Sequence, residues 1–228
     1  MRASNDRKAV TRQMKYRQTP HHLFNSNLQA RPKNAGAIWR TLCWVNDQVA
    51  ISGDLSNFES EALVQLNDWI DQGITDIIDL RGEASDERFV AQHAPQISYH
   101  WLGVDDEGDR RSDQWFEAIE AVAQLVLQDP SRKVVIHCHM GVNRGPSAAF
   151  TALITHGVDP IQALTQIRSA RPVAAILYSF DAVQWFARRQ GKTESEVADL
   201  FHAVYDWHVE NPLDLAYCIQ QIGNRYAA

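Results

Sequence analysis

Residues 133–157 read KVVIHCHMGVNRGPSAAFTALITHG. The opening KVVIH suits a strand, and the closing SAAFTALITHG suits a helix ended by Gly157. Between them lies one tight turn that carries a cysteine, a glycine and an arginine. A chain that passes so abruptly from strand to helix is built from strand–turn–helix units, and the rest of the sequence repeats the alternation. WVNDQVAIS reads as a strand or tight hairpin. Residues 59–72 place Ala62, Leu63, Leu66, Trp69 and Ile70 on one helical face, and Gly73 ends that helix. ITDIIDL (74–80) and ISYHWLG (97–103) read as strands. Residues 113–128 carry a second apolar stripe through Trp115, Ile119, Val122 and Val126, stopped by Asp129-Pro130. Helices are expected at about 146–156, 160–170 and 179–190.

Strands alternating with helices predict an α/β fold, a central and mostly parallel sheet flanked by helices. In such sheets ligands sit outside the C-terminal ends of the strands. The quoted turn lies at one of those ends.

The residue types in the turn fit one kind of chemistry. Successive backbone N–H groups in a six-residue turn can point into one concavity, which with a helix N-terminus behind it receives a tetrahedral oxyanion. Gly141 permits backbone angles and close approaches that a side chain forbids. Pro146 suits the first helical turn. Arg144 offers a planar fork for two oxygens of a phosphoryl group. Cys138 lies at the base of that positive field, which favours a nucleophilic thiolate. A leaving oxygen needs a proton, and no residue of the turn supplies it. The upstream loop LGVDDEGDRR offers Asp105, Asp106 and Asp109 after a strand end.

HCHMGVNR resembles the signature loop of the cysteine-dependent protein tyrosine phosphatases, and the stretch from about Ile38 to Gln190 resembles their dual-specificity branch. The resemblance implies a dual-specificity phosphatase-like fold with Cys138 as nucleophile and Arg144 as phosphate and transition-state holder. It makes the amides of His139, Met140, Gly141, Val142 and Asn143 the substrate cradle. The family's acid is an Asp about thirty residues before the cysteine, which makes Asp106 the choice, Asp105 second and Asp109 third. The resemblance implies no cofactor and no metal, and a phosphorylated substrate with protein favoured. The sequence departs from the family at Gly145. A Ser or Thr usually follows the arginine there and helps the sulfur leave, so hydrolysis of the phosphocysteine is expected to be slow unless Ser147 or Asn143 compensates.

Rival readings remain open at this point. One is an RNA or nucleotide 5′-triphosphatase, which Asn143 before the arginine resembles. Another is a phosphate-binding module with low turnover, and a weaker one is a redox sensor. Net charge is −6, but residues 1–35 carry +7 and leave −13 for the remainder. An acidic body argues against nucleic acid. No window is apolar enough to cross a membrane, and MRASNDRKAV has no apolar core of a secretory signal. Cys43, Cys138 and Cys218 are widely spaced without a CxxC pair, which fits free thiols and a cytoplasmic location.

The organisation expected is a basic arm over 1–36, a phosphatase domain over 37–191 and a helical C-terminal extension over 192–228. In the extension Thr193-x-x-Glu196 is a capping-box pattern, and Val197, Leu200, Phe201, Val204, Tyr205 and His208 form a helical stripe. A second helix is expected from DLAYCIQQIG. The pair either packs on the preceding domain or forms a dimer or partner surface. Arg168 and Arg171 read as either second-phosphate ligands or an exposed helix end, and Arg81 as a candidate for the pocket wall. His137 is expected to brace the loop. Cys43 and Cys218 are expected to pack, with nothing basic beside Cys43 except Arg40.

Overall fold

The computed structural model describes residues 24–25, 40–106, 110–214 and 216–218. Its elements in chain order are β1 (Phe24–Asn25), β2 (Cys43–Trp44), β3 (Val49–Ser52), α1 (Glu59–Asp71), β4 (Asp76–Arg81), α2 (Glu87–His93) and β5 (Ser98–Val104). There follow α3 (Asp113–Leu127), β6 (Val134–His137), α4 (Arg144–Thr155), α5 (Pro160–Ala170), α6 (Ser179–Arg189), α7 (Glu194–Glu210) and β7 (Leu213–Asp214). Five strands form one sheet in the order β2-β3-β6-β4-β5. β2 and β3 make an antiparallel hairpin, and every other pairing is parallel. The expected α/β class and mostly parallel sheet are therefore what the chain adopts.

Side chains alternate across the strands, and the alternation divides the core. Ala50, Ile77 and Val135 face α1 and α2, where they meet Ala62, Leu66, Trp69 and Val90. Ile51, Ile78, Val134 and Ile136 face the opposite layer, among Phe116, Ile119, Phe150, Leu153, Leu164 and Val183. Local signals set the helix starts. Ser112 accepts from the Trp115 amide at the head of α3, and Asp159 accepts from Ile161 and Gln162 at the head of α5. Thr193 and Glu196 close the expected capping box at α7.

The register aligns the strand ends. Ser52 of β3 and Asp79 of β4 both lie opposite His137 of β6. The loops that leave β3, β4, β5 and β6 consequently open at one edge of the sheet, with β6 in the middle.

Two expectations need correction. α2 was not expected: it has seven residues and one buried side chain, Val90, so it carries no amphipathic period. The tail does not begin a helix at Asp214. Leu213 and Asp214 instead pair in parallel with Phe24 and Asn25. Residues 216–218 make one helical turn, and the remainder of DLAYCIQQIG lies outside the described residues. The rest of the arm expected over 1–36 also lies outside them.

α7 packs on the sheet domain. Val204 and Trp207 belong to the same apolar cluster as α4 and α6, and Trp207 donates from its indole to Thr165 Oγ1 at 3.1 Å. Arg168 lies over the Trp207 ring and donates to Asn211 O, and burial pulls its guanidinium down to about 10. Among the described residues no helix is long and apolar enough to cross a membrane.

His208 of α7 is buried, with Nε2 3.1 Å from Ser179 Oγ, and the Ser179 hydroxyl donates to Ile176 O at 2.6 Å. Because that hydroxyl is spent on Ile176, the imidazole is the donor of the pair. Burial, aided by the charge of Arg168, holds His208 down at about 3. Unfolded histidine titrates near 6.5, so the unfolded state binds the extra proton between pH 6.5 and about 3. Stability from this group is complete above pH 6.5 and is lost as pH falls through that window. Between pH 7 and 4.5 the loss is expected to be roughly 2 kcal/mol. Thermal melts of native protein and His208→Gln at both pH values check it, since equal losses in the two proteins would remove His208 as the cause.

Candidate active site

Cys138 follows β6 directly and is 2% exposed. The loop His139–Asn143 then returns to Arg144, the first residue of α4. Every carbonyl of that loop is engaged. His139 O accepts from Asp54 N at 3.1 Å, Val142 O from Ala175 N at 2.6 Å, and Asn143 O from Ser147 N at 2.9 Å. Met140 O and Gly141 O accept from Arg171, at 2.9 and 2.6 Å. In a trans peptide the N–H points opposite to the C=O. The four carbonyls held from outside, His139 to Val142, therefore turn the following N–H groups away from those partners, and the Asn143 carbonyl makes the first helical bond of α4. The N-cap residue Asn143 makes no capping side-chain bond at α4, so the helix adds its own first-turn donors.

Two residues make this curl possible. Gly141 has φ of +60°, and a Cβ there would lie 2.5 Å from Ser52 O and 2.6 Å from Arg171 Nη2. Arg171 is fully buried and also reaches Thr41 O at 3.4 Å and Cys43 Sγ at 3.3 Å. Neither sequence expectation for Arg171 holds. It is not at an exposed helix end, and its guanidinium is spent on the back of the loop. Cys43 correspondingly has a second basic neighbour, which sequence distance concealed.

Arg144 is held from the other side. Its Nη1 and Nη2 grip the Glu83 carboxylate at 2.5 and 2.8 Å, and Nη1 also donates to Val104 O at 2.9 Å. Its Nε is buried without an acceptor among the described residues, with Asp106 Oδ2 3.7 Å away. Burial alone would pull the guanidinium down, but Glu83 and the charges of Cys138 and Asp106 hold it well above the ordinary arginine range. The same pairing holds Glu83 down at about 2, so the clamp stays charged across any workable pH. Sequence reading missed Glu83. The signal was its place, two residues beyond the β4 end.

Asp106 follows β5 and reaches the loop. Its Oδ1 accepts from Asn143 Nδ2 and from the Tyr178 hydroxyl, each at 2.9 Å. The structure thus brings Cys138, Arg144, Asn143 and Asp106 together. Asp105 contributes its carbonyl to Arg111 Nη1 at 2.9 Å. Asp109 lies outside the described residues.

Asn143 and Ser147 are both committed elsewhere. Asn143 Oδ1 accepts from Leu177 N at 2.8 Å, while Ser147 Oγ accepts from Tyr178 N at 3.1 Å and donates to Asn143 at 3.4 Å. A Cβ at Gly145 would lie 3.3 Å from Ile136 O and 3.4 Å from Cys138 N. The position beside the cysteine is present, but it carries no hydroxyl.

The flanking histidines point to different layers. His137 is fully buried against Trp69, with ring centroids 5.8 Å apart. His139 Nδ1 meets Asp54 Oδ2 at 2.6 Å. Arg81 is not a pocket wall. It is buried, grips Asp79 through Nε and Nη2 at 2.9 and 2.7 Å, and pairs with Asp86 at 2.7 Å. Asp79, Asp86 and His137 have ligand-type atoms within 4.8 Å of one another, but the Arg81 guanidinium already supplies the positive charge between the two carboxylates. Cys218 packs against Val173, Leu213 and Tyr217, where burial pushes its thiol up to about 11.

Solved structures share this architecture. "Tk-PTP in the active form" superposes with a TM-score of 0.51 at 18% identity, covering 66% of this chain and 99% of that one. A mouse putative dual specificity phosphatase complexed with zinc tungstate gives 0.51 at 18%, covering 76% and 98%. Human DUSP28 gives 0.50 at 16%, covering 72% and 95%. The fold is that of the dual-specificity and tyrosine phosphatases. No protein-family model and no curated protein matches the chain.

Proposed function

We propose that the protein hydrolyses phosphomonoesters through a phosphocysteine on Cys138, with phosphoproteins carrying phosphotyrosine or phosphoserine/threonine as substrates. The observation that carries this is the loop whose carbonyls are all engaged, four of them by groups outside the loop and α4, while Arg144 Nε is buried without a hydrogen-bond partner among the described residues. A dianionic phosphoryl group supplies the acceptors that this ring of donors lacks.

In the first step the Cys138 thiolate attacks phosphorus, the P–O ester bond breaks, and Asp106 gives its proton to the leaving oxygen. Oδ1 already receives two hydrogen bonds, so the transferred proton sits on Oδ2. In the second step the Asp106 carboxylate takes a proton from water, whose oxygen attacks phosphorus and frees the sulfur as thiolate. Arg144, fixed by Glu83 through Nη1 and Nη2, offers Nε to an equatorial oxygen in both steps.

Asp106 is hydrogen-bonded in place, which favours an acid-assisted enzyme over a triphosphatase that does without one. The acidic body disfavours RNA, and the absence of lysine from residues 139–143 disfavours polyphosphoinositides. The three cysteines are free, which fits the cytoplasm as the proposed compartment.

With no hydroxyl at Gly145 and both neighbours committed, sulfur departure lacks a donor. Stopped-flow turnover of p-nitrophenyl phosphate is expected to show a stoichiometric burst followed by a slower steady phase. Acid quenching should trap one phosphate per chain on Cys138. Steady turnover without trapped phosphate would overturn the mechanism, and phosphate binding without any nitrophenol release would leave the low-turnover binding module.

A further inference from the structure

The loop that carries Asp106 is fastened to the segment entering α6 at three points. The Tyr178 hydroxyl donates to Asp106 Oδ1 at 2.9 Å. Arg111 lies over the Tyr178 ring, 4.7 Å from its centre, and its Nη1 donates to Asp105 O. The Arg111 amide donates to Asp181 Oδ2 at 3.1 Å, in the first turn of α6. Tyr178 itself is buried, and its ring stacks edge-on against Trp115 at 5.9 Å. Burial and the charge of Asp106 push its phenol well above the ordinary range, so it remains a donor.

The backbone beneath Tyr178 is strained in a way that serves this contact. Ile176 is buried with φ of +55°, an unusual state for a β-branched residue. Past it, the Leu177 and Tyr178 amides bond Asn143 Oδ1 and Ser147 Oγ. The turn is thus bolted to the phosphate loop by its backbone and to Asp106 by the Tyr178 side chain.

We propose that Tyr178 is a positioning residue for proton donation. It fixes the Asp106 carboxylate with Oδ1 turned to Tyr178 and Asn143 and Oδ2 toward the leaving oxygen, so the acid is in place before substrate arrives. This rests on the phosphocysteine reading above, and it predicts an effect confined to esters that need the proton. Phenyl phosphate has a poor leaving group, whereas p-nitrophenyl phosphate departs with little help.

For Tyr178→Phe, which keeps the ring and its stacking, kcat/KM for phenyl phosphate is expected to fall about tenfold. For p-nitrophenyl phosphate it should change less than twofold. Arg111→Leu, which removes the stacking cation and the Asp105 contact, should reproduce the selective loss at about a third of that size. It tests the idea independently if Tyr178→Phe does not fold. Equal losses on both esters, or no loss on either, would overturn the positioning role. Absence of trapped phosphocysteine in native protein would instead overturn the underlying mechanism, so the two failures are distinct.

Discussion

Cys138→Ser is expected to abolish phosphate release from every ester, by a factor on the order of 10⁴ or more. A neutral hydroxyl in the same place is a far weaker nucleophile than a thiolate. The cradle, Arg144 and Glu83 are untouched by the change, so the variant should still bind phosphate and melt near the native temperature. Asp106→Asn should behave differently. It should cut kcat/KM for phenyl phosphate about a hundredfold while sparing p-nitrophenyl phosphate, since only the poor leaving group needs the proton. Residual turnover in Cys138→Ser near the native rate would move the nucleophile elsewhere. A leaving-group-independent loss in Asp106→Asn would reduce that residue to a structural part of the loop.

Arg171→Leu is the second large effect. Its guanidinium bonds Gly141 O, Met140 O, Thr41 O and Cys43 Sγ from a fully buried position. The leucine leaves at least two short hydrogen bonds unmade and their carbonyls buried, which costs about 3 kcal/mol. For a chain of this size that is roughly 10 °C in melting temperature. Activity should fall further than stability, because the Met140 and Gly141 peptides become free to rotate and their N–H groups leave the cradle. Arg171→Lys should recover part of the stability and little of the activity, since one ammonium cannot meet both carbonyls in the geometry of a fork. A Leu variant with native melting temperature and native kcat/KM would show that the loop holds its curl unaided.

Much of this architecture was legible because local rules and tertiary demands agree. The apolar strand-type runs at 74–80 and 133–137, the helical stripe at 113–128 and the capping box at Thr193 each found the element expected. Cys138, Gly141 and Arg144 were legible together because they sit within seven residues of one another and each has a distinct physical task. Asp106 was reachable only through its spacing to the loop. What stayed hidden depends on contacts across the sheet edge. Arg171 lies 30 residues from Gly141 in sequence and bonds its carbonyl, and nothing in a polar helix end announces that. Glu83 lies 61 residues from Arg144. Tyr178 lies two residues after Ile176, whose positive φ no periodicity encodes. The β1–β7 pairing joins segments almost 190 positions apart, and its two-residue strands are too short to read.

The link from His208 through Ser179 to the Ile176 carbonyl joins the last long helix to the turn that carries Tyr178. It ties the order of that turn to whether α7 stays docked. The Leu177 and Tyr178 amides should then exchange with deuterium only when α7 lifts away, at the slow pace of that helix and not at the pace of a surface loop. A chain shortened to end at residue 191 would keep every residue of the proposed phosphate site and still lose the protection of those two amides.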